Sequence, residues 1–98
     1  MAVIERKEVG DGIVECLIDS SNIIKSEYNE NGKSLVLTFK GGTRYQYEGV
    51  LHRDYVRFEV SESQGSVFNK TMRKYTHNKL DNIDIGPLKQ RIQEIKEG

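Results

Sequence analysis

The chain of 98 residues is long enough for one small core, and no apolar run in it approaches the ~20 residues of a membrane span. Hydrophobic residues make up 36% and charged residues 31%, a polar balance that still excludes a disordered chain. Lysine and arginine balance aspartate and glutamate to a net charge of zero, which argues against the long basic footprint of a duplex-binding domain but leaves room for a compact phosphate site.

The N-terminal eight residues carry Glu5, Arg6, Lys7 and Glu8 and lack the apolar segment of a signal peptide, so a soluble, cytoplasmic protein is expected. Val3 and Ile4 begin a short strand or an arm, and Gly10-Asp11-Gly12 signals a turn. Ile13 to Ile18 alternates as a strand and contains the lone Cys16, read as a small buried hydrophobe. Asp19 to Asn22 forms a polar break, and Ile23 to Tyr28 is the next strand. Asn29-Glu30-Asn31-Gly32 predicts a hairpin loop, because Asn-Gly favours positive φ. Leu35, Leu37 and Phe39 then share one face of a strand, Gly41-Gly42 turns the chain, and Thr43 to Glu48 returns it with Tyr45 and Tyr47 on one face. Connections this short make the sheet, of three to five strands, antiparallel.

From Leu51 the period becomes helical, with Leu51, Tyr55 and Phe58 on one stripe. Ser61 to Gly65 interrupts it, Ser66 to Tyr75 reads as a second helix with Phe68, Met72 and Tyr75 on one side, and Thr76 to Asn82 reads as a polar connector. Pro87 suits the first turn of a last helix, where Leu88, Ile92 and Ile95 form an apolar stripe. The expected architecture is α+β: a small antiparallel β-meander followed by two packed helices and a C-terminal helix. Residues 1–78 form the domain and 79–98 a linker and amphipathic helix. That last helix either closes the monomer's core or buries against another copy, and a homo-oligomer assembled through it is expected.

Charge concentrates in one place. Between Ser63 and Lys79 there is no acidic residue, only Lys70, Arg73, Lys74 and Lys79. A helix start with free N–H groups at Ser63, Gly65 and Ser66, followed by Asn69 and Arg73 four residues apart, is suited to a phosphate-bearing ligand. Arg73 can clamp a phosphate while Asn69 reads a base edge or sugar, and Lys70 and Lys74 add charge. Phe68 can stack a base or belong to the core. Tyr45 and Tyr47 either stack bases from an exposed sheet face or lie half-buried beneath a helix. His52 and His77 read as surface residues, and the absence of paired carboxylates, a nucleophile triad, a phosphate-binding glycine loop or metal-spaced ligands argues against an enzyme and against a cofactor.

Four stretches together resemble the KTSC domain, a family named for its occurrence at the C-terminus of some lysyl-tRNA synthetases. They are Asp19-Ser20-Ser21-Asn22-Ile23, Leu35 to Gly42, Tyr45-Gln46-Tyr47 and Ser63-Gln64-Gly65-Ser66-Val67-Phe68-Asn69, so the resemblance spans Ile18 to Tyr75. One departure is Leu51 after Val50, where members often carry Pro. The resemblance implies a small sheet with helices packed on it and, from its context, an RNA-binding role. By architecture and the Phe68-Asn69 to Arg73 run, the chain is also similar to small phage anti-defence proteins that sequester nucleotide immune signals. The leading functional expectation is non-catalytic binding of a small nucleotide, such as a cyclic nucleotide signal. The alternatives are an RNA-binding accessory module and a protein–protein adaptor using the last helix.

Overall fold

The structure, a computed structural model, describes residues 3–61 and 64–98, and for residues 64 and 65 the backbone alone. Among the described residues six strands form one antiparallel sheet in chain order, with β1 (Val3–Gly10), β2 (Ile13–Ile18), β3 (Ile23–Asn29), β4 (Ser34–Phe39), β5 (Arg44–Tyr47) and β6 (His77–Leu80). Each connection from β1 to β5 is a tight turn, which is why the order in space follows the order in sequence. Helices α1 (His52–Val60) and α2 (Gln64–Lys70) and a 3-10 turn (Met72–Lys74) intervene before β6, and α3 (Gly86–Glu97) ends the chain. No helix among the described residues is long and apolar enough to cross a membrane.

Alternation along the strands divides the sheet into two faces. Cys16, Ile18, Tyr28, Leu35, Leu37 and Tyr47 point to the face that meets Tyr55 and Phe58 of α1 and Met72 of the 3-10 turn, and this set is the core. Tyr28 and Tyr55 stack with ring centroids 4.2 Å apart and nearly parallel planes. A bulge between Ile23 and Lys25 sets Ile23 in the core while Ile24 borders α3 on the opposite face. There Leu88 and Ile92 of α3 adjoin Leu17 and Ile24, and Arg91–Glu5 (2.8 Å) and Lys96–Asp19 (3.2 Å) ion pairs flank the helix. Thus α3 lies across the back of its own sheet, with its apolar stripe half-buried there.

Three local expectations are corrected. The sheet has a sixth strand, because the polar stretch expected as a connector supplies β6 through backbone pairing with β5: Tyr45 opposes Lys79 and Tyr47 opposes His77. The β3–β4 loop is not closed by positive φ at Asn31 or Gly32. Asn29 Oδ1 accepts the N–H groups of Asn31 and Gly32, and the left-handed residue is Lys33, at φ 53°. The second helix stops at Lys70, and Met72–Lys74 winds as a tighter 3-10 turn, so Asn69 and Arg73 do not share a helix face.

Candidate functional site

Where α2 leaves the sheet uncovered, the ends of β4, β5 and β6 and the 3-10 turn enclose an open cleft of about 560 Å³. That volume falls in the range of small-molecule sites. Its walls are aromatic. Phe39, Tyr45 and Tyr47 come from the alternating core-side positions of β4 and β5, Phe68 comes down from α2, and His77 stands on β6. Edge-to-face packing locks them together. Phe39 meets Phe68 at 5.5 Å and Tyr45 at 6.0 Å, Tyr47 meets Phe68 at 5.9 Å, and His77 meets Tyr45 at 5.6 Å. Such geometries suit the quadrupoles of the rings, so the cleft is shaped in advance of any ligand.

Arg73 is the cation of this cleft, and among the described residues its lining contains no carboxylate. The guanidinium lies near enough to Tyr47 to favour that phenolate, yet burial dominates and pushes the Tyr47 hydroxyl up to about 12. Tyr47 therefore stays neutral over the ordinary pH range, as a wall and not an acid. The His77 Nδ1 lies 3.3 Å from the Tyr75 carbonyl oxygen and donates to it when that nitrogen carries the proton.

The 3-10 turn that carries Arg73 is anchored to α1 by Tyr75. Its hydroxyl donates to Asp54 and accepts the Leu51 N–H at 3.3 Å. Lys74 lies 3.5 Å from the same Asp54 oxygen and over the Tyr75 ring, away from the cleft. The Tyr75 hydroxyl, then Lys74, hold the Asp54 carboxyl below its ordinary range against the opposing effect of burial.

Four of the residues singled out from sequence thus meet in the cleft: Tyr45, Tyr47, Phe68 and Arg73. Asn69 lines a smaller adjoining cavity, while Ser66 and Lys70 are exposed on α2. Gly65 lies in the first turn of α2, and Ser63 lies outside the described residues. Phe39, Thr43 and His77 were not singled out for the site. Phe39 carried the signature of a core residue, and the place of His77 depends on the β5–β6 register, which its own sequence does not announce.

A second cavity, of about 280 Å³, lies between α1 and the first strands. It gathers Glu8, Glu30 and Glu59, and its Arg6 is held 2.7 Å from Glu59. Three carboxylates against one engaged cation disfavour an anion there. Among the described residues, no group of three or more His, Cys, Asp or Glu side chains is placed to hold a metal ion.

Comparison with known proteins agrees with the fold. The family model of the KTSC domain matches residues 19–75. The crystal structure of a KTSC domain protein from Yersinia pestis is similar, with a TM-score of 0.62 and 26% identity over 79% of this chain and 97% of that one. No curated protein matches the chain. The family match runs from Asp19 to Tyr75, so β1, β2, β6 and α3 lie outside it.

Proposed function

The chain belongs to the KTSC domain family, and we propose that this member binds a small phosphate-bearing nucleotide without transforming it. One observation carries the reading: an aromatic cleft that, among the described residues, is lined by an arginine and no carboxylate. Base stacking on an aromatic wall contributes ~1–3 kcal/mol, and an arginine adds a bidentate grip on phosphate. Zero net charge favours a small ligand over a long polyanion, whose binding grows with the phosphates neutralised. Binding without turnover withdraws a ligand from circulation, so the reading extends to sequestration of a cyclic nucleotide signal, the role of the phage proteins named above.

The test is calorimetric titration of the protein with mononucleotides, cyclic nucleotides and short RNAs, repeated with Arg73→Ala. Loss of a charged hydrogen-bond partner, ~1.5–3 kcal/mol, predicts affinity about 10- to 150-fold weaker. Arg73 is an exposed side chain, so its melting temperature should hold. Failure of every nucleotide to bind the unaltered protein refutes the reading, and a large loss of stability in Arg73→Ala makes that residue structural. The RNA-binding alternative is favoured by one feature, the half-buried Tyr45 on a sheet face beside the exposed His77, since single strands are stacked on aromatic side chains of this kind. It predicts tightening with RNA length and a steep salt dependence, where a mononucleotide site shows neither.

A further inference from the structure

The aromatic cleft has a neighbour. Phe39 and Phe68, which pack edge to face, also wall a second cavity, of about 270 Å³. Away from these two shared rings the lining changes character. Ser21, Asn22, Lys40 and Asn69 surround it, above the buried side chain of Ile23. The frame is fixed by backbone: the Lys40 N–H donates to the Asn22 carbonyl at 2.8 Å, tying the β2–β3 connection to the β4–β5 turn.

We propose that the ligand is a dinucleotide, held with one unit in each of the two cavities that share Phe39 and Phe68. This rests on the nucleotide reading of the cleft and extends it. The two cavities divide the work that two nucleotide units require. The first offers stacking surfaces and Arg73, and the second offers a cation, Lys40, with the amides of Asn22 and Asn69 and the hydroxyl of Ser21 for a sugar or base edge. A single phosphate needs one cation, whereas here one stands in each cavity. Because the units are covalently linked, the second binds at high effective concentration once the first is seated. Linear and cyclic dinucleotides share this chemistry.

Calorimetry on the full chain tests it with 5′-AMP, linear 5′-phosphorylated diadenylate and cyclic diadenylate, and with the guanine counterparts of all three. At least one dinucleotide should bind ten or more times tighter than the mononucleotide of the same base, and the tighter of the linear and cyclic forms identifies the source. The double variant Lys40→Ala/Asn22→Ala, in two exposed side chains, should abolish that advantage and leave the mononucleotide affinity unchanged. Equal affinities for one and two units, or equal weakening of both by the double variant, overturns the dinucleotide and leaves the single-nucleotide site standing. No binding by any of these probes removes both.

Discussion

Replacing Tyr75 by Phe deletes one oxygen atom, and the structure assigns that atom two bonds. It donates to Asp54, which is only 4% exposed, and it accepts the N–H of Leu51 at the entrance of α1. A hydrogen bond to a charged partner contributes ~1.5–3 kcal/mol and a neutral one ~0.5–1.5. Leu51 is exposed, so its N–H recovers water and the second loss is small. Asp54 is buried, and among the described residues Lys74 at 3.5 Å and the charge of Arg53 remain to it, neither replacing the lost donor, so the first loss is felt nearly in full. The sum is about 2 kcal/mol, or about 8–16 °C in melting temperature for a domain of this size. The pH dependence is a second constraint. The Asp54 carboxyl is held below its usual value, chiefly by Tyr75, so its stabilising effect is complete above the unfolded value near 4 and is lost as pH falls through the folded value. The gap between the two proteins should therefore be full near pH 7 and narrow below about pH 4. Urea unfolding followed by circular dichroism at both pH values measures it. A loss under ~0.5 kcal/mol, or a gap unchanged across the acid range, would refute the anchor.

Gly42 has φ +91°, and a Cβ there would lie 2.5 Å from the Ile83 carbonyl oxygen, while at Gly41 it would meet nothing within 4 Å. Gly42→Ala should therefore cost more than ~1 kcal/mol and Gly41→Ala less than ~0.5, a contrast that thermal unfolding resolves. Burial raises the hydroxyls of Tyr28, Tyr47 and Tyr55, with Tyr47 reaching about 12. Neutral phenols are thus favoured by folding, and stability complete below the ordinary value near 10 should be lost as pH rises toward about 12. Tyrosinate absorbance and circular dichroism should change together in that window, and early ionisation without unfolding contradicts the burial. Burial, with further opposition from Glu59, also pushes the Cys16 thiol up, despite the Tyr55 hydroxyl beside it. Ellman's reagent should leave the native protein unlabelled in mildly alkaline buffer and titrate one thiol after denaturation; fast native labelling would show Cys16 exposed.

What could be read from sequence follows from where the free energy of each element resides. β4 announces itself because Leu35 and Leu37 are both fully buried, leaving a period-two signature. α1 is legible for the same reason in Tyr55 and Phe58. β6 is silent, since three of its four residues are exposed and it is held by main-chain bonds to β5. The early end of α2 was hidden too: Phe68, Met72 and Tyr75 keep a helix-like spacing, and Met72 is fully buried, although a 3-10 turn places it there. Side-chain spacing records which residues are buried and not how the backbone delivers them.

That distinction explains why the candidate site was half visible. Strand period alone sets Tyr45 and Tyr47 on one face, and Phe68 and Arg73 stand out by their chemistry. Their convergence, however, depends on the two elements without a signature. The 3-10 turn redirects Arg73 away from the helix face it would share with Asn69, and β6 brings His77 against both tyrosines. β6 lies beyond residue 75, where the family match ends. The cleft's outer wall in this chain is therefore built by a segment outside the matched family region, while its floor and its arginine lie inside it. If the wall sets which ligand fits, His77→Ala should change the preference among bases with little effect on phosphate affinity. Arg73→Ala should do the reverse, lowering affinity for every nucleotide alike. Parallel losses in both variants would mean that the wall and the cation act as one unit, and specificity would then have to be sought in the matched region itself.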